Sequence, residues 1–572
     1  MYVAGRPIVE GTLAELGPKD MARMGPLVLL VIAFVLFLVL KKASRVLTTL
    51  FVVMASTIWV FALMSILGIP LYSVSIMLPV MLVAIGVAYA IHLYGQVDHY
   101  RREHPQDSLS ETIEQSLRII GPPALYAALT TVAGFIALLT SRVYPVKYFG
   151  LFTAFGVAVS WLLTMVLVPA MLLVTQKKTG PDPIKEVTIK TVAAPSKRPF
   201  GERFADGVSR NSFAVYAITA VIIAVSLFGI SKVWINSSFL ANFEKNSAIV
   251  QTDAFVNRYF GGTSTVNIIL DGTEFDTFKN PEVLSLVDRL QTVLEQHTMV
   301  GDSFSLATYL KQIHFAMNAE QPEYRVIPDS AELVAQYLLL YEMSGDPDNL
   351  WKVVDPDFLS ANVTVQLKSD DSRTISAVLE TVEPFRAEFE KYGVTINFAG
   401  SGYKALVFSD LILSGQVTSL LLSVGIVFFL VALLFRSFLV GAIATIPVLI
   451  SMAVNFGIMG LLKLPLTTST ALISSIAVGI GVDYAIHFIS HYRERLRETG
   501  NETDAARYSM SLTGKAVLLN AVIVISGFMV MTFSVFPPNR QVGLLVSLNM
   551  LVAFISTVTI MFLILRKSSR II

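Results

Sequence analysis

Eleven stretches of this chain are long and apolar enough that a lipid bilayer is their natural solvent. They fall at 24–40, 46–67, 71–95, 122–140, 148–175, 212–234, 411–435, 438–462, 466–490, 516–536 and 542–565. Each lies near the ~20 residues that a helix needs to cross a ~30 Å hydrocarbon core. Composition agrees: the 572 residues are 54% hydrophobic and 15% charged, with a mean hydropathy of +0.65, whereas a soluble domain carries about 25% charged residues. The expected class is therefore a polytopic α-helical membrane protein. The net charge of +1 is spread over loops and gives no footing for nucleic acid as a partner. The absence of cysteine excludes disulfides and thiolate metal sites but does not separate compartments. No secretory signal peptide is read at the start, where 1–20 is polar and the first apolar run is long enough to span.

Lysine and arginine in the connections set an orientation. Lys41-Lys42, His99-Tyr100-Arg101-Arg102, Lys177-Lys178, Arg436, Arg493 to Arg497 and Arg566-Lys567 fall on alternating ends, which places those ends in the cytoplasm. Met1 is then outside and Ile572 inside. The clusters at 99–102 and 493–497 are expected as cytoplasmic surface helices with a solvated charged face, lipid-headgroup recognition being the alternative. The one large outside segment, 235–409, alternates helical and strand patterns. Strands are read at 263–270, 362–367 and 394–398 and long helices at 281–297 and 372–392, an α+β pattern of split βαβ units, ferredoxin-like. Within it, 333–343 is very apolar and is assigned to the core, with the wall of a lipid-accepting groove as the alternative. A polar, proline-containing stretch at 181–199 reads as a cytoplasmic linker.

The chain repeats itself. At an offset of 395, Ala4-Gly5 falls on Ala399-Gly400, Lys41 on Arg436, Pro70-Leu71 on Pro465-Leu466 and His92 on His487, while Gly134-Phe135 matches Gly527-Phe528 at 393. Two parallel halves follow. The expected organisation is 1–23 as the end of a first outside domain, 24–176 as five spans, and 177–210 as linker. It continues with 211–234 as the first span of the second half, 235–409 as the outside domain, 410–566 as the remaining spans, and 567–572 as a tail. The first half thus lacks its own first span and domain. Either the sequence starts downstream of its natural N-terminus, the favoured reading, or the missing portion is a separate chain.

The repeat also frames the chemistry. In Gly479-Ile480-Gly481-Val482-Asp483-Tyr484-Ala485-Ile486-His487, Asp483 lies about ten residues from the first strongly polar turn, or ~15 Å of helix, roughly mid-bilayer. An ionisable group there is by default a candidate for ion or proton movement. His487, one turn on, shares its face. The first copy, Gly86-Val87-Ala88-Tyr89-Ala90-Ile91-His92, has Ala88 in place of the aspartate. Gly86, Gly479 and Gly481 are small residues that permit close helix approach. The alternative is a protonated structural aspartate, with Tyr89 and Tyr484 as packing residues. Asn455, Asn520 and Asn549 are candidate hydrogen-bonding partners from other spans. No Walker loop, zinc spacing, Ser/His/Asp set or dinucleotide loop occurs, so neither a cofactor nor a metal is expected.

Six spans with an outside domain after the first, doubled, together with Gly481-Val482-Asp483-Tyr484-Ala485-Ile486-His487-Phe488, resemble the resistance-nodulation-division (RND) superfamily. The branch resembled holds the mycobacterial MMPL lipid exporters and the hopanoid exporters, and sterol-sensing-domain proteins are more distant relatives. The resemblance implies that the two motif helices form the facing central pair, with a proton relay of Asp483, Tyr484, His487, Tyr89 and His92. It further implies a secondary transporter rather than an enzyme, at the inner membrane, antiporting protons against a lipid or other hydrophobic substrate. A periplasmic carrier or adaptor would be a partner, and a homo-oligomer is allowed. Exporters of this kind often carry an acidic residue in both central helices, so Ala88 puts the first half's contribution in question. A lipid- or sterol-sensing scaffold and a protein-translocation accessory are the competing readings.

Overall fold

The computed structural model describes residues 3–179, 200–344 and 347–568, so most of the expected linker and the last four residues lie outside the described residues. The chain divides into two compact units, one of 1–14 with 235–410 and one of 15–234 with 411–572.

The larger unit is helical. Its first half holds α1 (Arg6–Leu40), α2 (Ala43–Ile66), α3 (Leu78–Glu103), α4 (Leu109–Ile136) and α5 (Tyr144–Thr179). An eleven-residue helix, α6 (Phe200–Arg210), precedes α7 (Ser212–Ile230). Among the described residues, 11 helices are long and apolar enough to span. Several overrun their apolar runs. No glycine or proline interrupts 96–103 or 490–499, and α3 continues unbroken to Glu103. The cluster at 99–102 therefore rides on the end of a spanning helix rather than on a separate surface helix.

The smaller unit contains α8 (Ala248–Tyr259), β1 (Ser264–Asp271), α9 (Pro281–Glu295), β2 (Val300–Phe304), α10 (Leu306–Met317), α11 (Ala331–Ser344), α12 (Pro347–Leu350), β3 (Ser360–Leu367), α13 (Ser372–Glu390) and β4 (Thr395–Ala399). The sheet order is β2-β3-β1-β4, antiparallel throughout. Two βαβ units, β1-α9-β2 and β3-α13-β4, interlock as a split βαβ sheet. Alternation is clean where the sequence read strands: β1 buries Val266, Ile268 and Leu270, and β3 buries Val363, Val365 and Leu367. β2 escaped that reading. It is five residues long, carries Gly301 and Asp302, and is bulged between Val300 and Asp302. A Cβ on Gly301 would stand 1.5 Å from the Gly261 carbonyl oxygen, so backbone crossing, not side-chain pattern, sets its sequence. α11 divides the expectation for 333–343: Val334 and Leu338 are buried, whereas Leu339 and Met343 are 56% and 79% exposed.

The second half follows as α14 (Gly400–Phe435), α15 (Phe438–Leu461), α16 (Thr468–Thr499), α17 (Glu502–Met529) and α18 (Pro537–Ser556), then a π-helical turn at Thr557–Met561 and α19 (Phe562–Lys567). α16 carries the cluster at 493–497, again as a helix end. Its own ends are written locally. Thr467 and Thr470 form a capping box, Gly500 closes the helix at φ +61°, and Asn501 caps α17.

Backbone geometry repeats with the sequence. Lys41 and Arg436 (φ +55° and +49°), and Gly68 and Lys463 (φ +66° and +56°), are left-handed at positions 395 apart. The repeat-related spans α4 and α17 both end in a 3₁₀ turn, Ala137–Thr140 and Val530–Phe533. Both then bring a glycine against it: a Cβ on Gly150 would stand 2.5 Å from the Phe135 oxygen, and one on Gly543 2.6 Å from that of Phe528. α3 and α16 are the most buried spans, over 94% and 100% of their apolar windows.

A candidate proton site between the central helices

The two central helices do not press backbone to backbone, as the glycine motif suggests. α16 packs on α4 of the other half, and α3 on α17. Gly134, Gly479 and Gly527 serve those contacts. A Cβ on Gly134 of α4 would stand 3.0 Å from the Gly479 Cα, and one on the repeat-related Gly527 of α17 2.8 Å from the Ala84 Cβ. Gly86 faces Ser160 and Val53, where a Cβ would come within 2.4 and 2.9 Å, and Gly481 faces Val448 at 3.3 Å. Thr131 of α4 seals the first of these crossings by donating to the Gly479 carbonyl at 2.6 Å. Side chains fill the space thus left between α3 and α16.

Three of the expected relay residues meet there. Asp483 is 6% exposed. His487 Nε2 lies 3.1 Å from its Oδ1 and His92 Nε2 3.9 Å from its Oδ2. Neither contact has hydrogen-bond alignment, for among the described residues Asp483 Oδ1 and His92 Nε2 are both without a hydrogen bond. Among the described residues, the one aligned bond to the carboxylate comes from Asn520 of α17, whose Nδ2 donates to Oδ2 at 3.3 Å. The His92 and His487 rings stack at 4.0 Å with 15° between planes, one from each half. Tyr89 and Tyr484 are buried, and among the described residues no hydrogen bond joins either hydroxyl to Asp483; that of Tyr484 has no partner at all. Of the other candidate amides, Asn455 donates to the Leu545 carbonyl at 2.7 Å, and Asn549 has no hydrogen-bond partner among the described residues.

Coulomb arithmetic limits what the cluster holds. Two imidazolium charges about 4 Å apart repel by about 4 kcal/mol at an effective dielectric of 20. One protonated imidazole beside an ionised Asp483 gains a similar amount. The arrangement therefore suits one mobile proton shared among three groups. Ala88, 6% exposed, occupies the position matching Asp483, so the first half brings no carboxylate there. The ligand atoms of His92, Asp483 and His487 also lie within 4.8 Å of one another. Tetrahedral zinc, with bonds near 2.0 Å, sets its ligands roughly 3.3 Å apart, so His92 would have to move inward. Spacing in the sequence gave no sign of this donor set, because one donor belongs to the other half.

Sequence reasoning also passed over Asp20. Counted there as part of a polar N-terminal stretch, it is 2% exposed in α1, accepts from Ser534 Oγ at 2.6 Å and from the Val535 amide at 3.0 Å, and so ties α1 to the turn between α17 and α18. Its mate at offset 395, Gly415, lies against Ser141, the mate of Ser534 at 393. The repeat itself was the signal available.

Comparison with known proteins agrees with this architecture. The model of the MMPL family matches residues 1–204 and 261–571. A putative membrane protein of Methanocaldococcus jannaschii is 23% identical over 360 residues, 60% of this chain and 89% of its own length. The probable trehalose monomycolate exporter MmpL3 of Mycobacterium leprae is 27% identical over 176 residues, 30% of this chain and 18% of that protein. Among solved structures, SecDF, a translocon-associated membrane protein from Thermus thermophilus, superimposes with a TM-score of 0.61 at 15% identity, covering 100% of this chain and 64% of SecDF. The hedgehog release protein Disp of the water bear Hypsibius dujardini gives 0.64 at 11% identity, covering 96% and 70%. With the family model matched over most of its length and the doubled helical architecture on view, the chain belongs to the MMPL family of polytopic membrane transporters.

Proposed function

We propose that the chain is a proton-driven exporter that moves a lipid or other hydrophobic molecule out of the cytoplasmic membrane. The observation that carries this reading is the burial of a single carboxylate between imidazoles supplied by both halves. With Asp483 ionised and the shared proton on His92, the pair 3.9 Å apart holds α3 near α16. A proton on Asp483 removes that attraction, worth about 4 kcal/mol at these distances, or nearly a thousandfold in an equilibrium constant. A change of that size is enough to bias two arrangements of the halves. Alternate loading and release from the two membrane faces would then couple proton entry to export, with 235–409 outside and passing cargo onward to a carrier. The name of MmpL3 supports a lipid cargo by kinship.

The test is reconstitution with the lipid that co-purifies. A pH gradient across the vesicle should drive its movement in the wild type and not in Asp483→Asn, while insertion and the unfolding transition stay unchanged. Movement that survives the substitution contradicts the reading. Ala88 favours one competitor, a lipid-sensing scaffold without transport, which predicts no gradient-driven movement in either protein.

A further inference from the structure

The corner between α14 and α15, the far end of α16 and the middle of α4 enclose a groove of about 670 Å³. One wall is apolar, formed by Ile119, Pro122 and Pro123 of α4 with Leu434 and Phe435 of α14. The rim carries Arg436, Arg493 and Arg497 with His491, Glu494 and Glu498, three guanidinium groups against two carboxylates. Pro122 begins one apolar run and Phe435 ends another, so the groove lies where hydrocarbon gives way to headgroups.

The charges do not cancel. Glu494 faces His491 at 3.4 Å, and Glu498 faces Arg495 at 3.3 Å. Arg493 is fixed in place, donating to the Phe435 carbonyl at 2.8 Å with its guanidinium 5.6 Å from the Phe435 ring. Arg436 and Arg497 have no ion pair or hydrogen bond from their side chains among the described residues, and both are exposed. The repeat shows that this is particular to one half. The mate of Arg493 is Asp98, which holds Arg45 in a two-pronged ion pair at 2.6 and 2.7 Å. The mate of Arg45 is Val440. Where the first half neutralises a guanidinium with a carboxylate, the second has an arginine in place of that carboxylate and an apolar residue in place of its partner.

We propose that this groove binds the phosphate of an anionic membrane phospholipid, with Arg436 and Arg497 on the phosphate and an acyl chain along the wall of α4 and α14. Guanidinium forks suit phosphate oxygens, and each basic residue at a membrane surface is worth about fivefold in affinity for anionic lipid. The assignment stands independently of transport.

Native mass spectrometry of the full chain, supplied with phosphatidylglycerol or phosphatidylcholine, tests it. The wild type should retain phosphatidylglycerol over phosphatidylcholine by roughly tenfold or more. Arg436→Asn with Arg497→Gln should bring the two lipids near parity with an unchanged unfolding temperature; asparagine is chosen because it tolerates the left-handed backbone at 436. Arg101→Gln with Arg102→Gln, outside the groove, should keep the preference. Equal retention in the wild type, an equal loss in the 101/102 control, or displacement of phosphatidylglycerol by millimolar inorganic phosphate would each overturn the assignment, the last by marking a free-anion site.

Discussion

A buried carboxylate is costly unless its surroundings answer it, and this chain answers its buried aspartates in different ways. Asp483 receives one amide donor and two imidazoles that sit at ion-pair distance without hydrogen-bond alignment, which leaves it able to change partners. Asp20 is satisfied by a hydroxyl and a backbone amide at 2.6 and 3.0 Å and reads as a fixed strut. Asp20→Ala should therefore lower the stability of the helical unit by about 1.5–3 kcal/mol, the range for hydrogen bonds to a charged group, measured by denaturant unfolding in detergent. Asp371, outside the membrane, is a third case. Partial burial pushes its carboxyl up, but hydroxyls of Ser369 and Thr374 and the amides of Thr374 and Arg373 outweigh this and hold it below the usual carboxylate range. Because the folded value is depressed, the stabilisation is present at neutral pH and fades as pH falls through the folded value, below about 4. Hydrogen exchange in the first turn of α13 should accelerate over that window. Asp371→Ala should reproduce the loss at neutral pH, about 1 kcal/mol, and Asp371→Asn should keep most of the cap.

At the scale of elements, what could be read in advance was whatever side-chain pattern alone decides. Spans follow from length and hydropathy, and β1 and β3 follow from alternation, since a one-residue slip would turn Val266 or Val363 out of the core. β2 was hidden because backbone crossing at Gly301 and a bulge override alternation there. The charged ends of α3 and α16 were read as separate surface helices because polarity changes at 99 and 493 while helix propensity does not. Packing between helices was misread for a related reason: a glycine announces a close approach without naming the neighbour, and Gly86 and Gly479 turned out to face α5 and α4. The same chemistry predicts the seam of α7 and α15. A Cβ on Gly460 would stand 1.8 Å from the Gly229 carbonyl oxygen, and one on Gly457 2.6 Å from the Ser226 Cα. Gly460→Val should force the two helices apart and cost about 1–3 kcal/mol or more, seen as a lower unfolding temperature in detergent.

At the scale of the whole molecule, the repeat is what made the site partly legible. His92 could be paired with His487 from sequence because they are 395 apart in a gapless alignment of halves. That their rings would stack at 4.0 Å over one carboxylate could not be read, since it depends on each central helix leaning on the opposite half. Duplication also exposes asymmetry. Ala88 against Asp483 leaves one carboxylate at the centre, and Asp98 against Arg493 leaves one basic groove at the rim. The proposed exporter requires Asp483 to take up and give up a proton within the bundle. Infrared difference spectroscopy of the purified protein between mildly acidic and mildly alkaline pH measures this without knowledge of the cargo. A protonated-carboxyl band should appear in the wild type and vanish in Asp483→Asn, while Asp20→Asn leaves it in place. A spectrum identical in the wild type and Asp483→Asn would rule out a titrating carboxyl at this position.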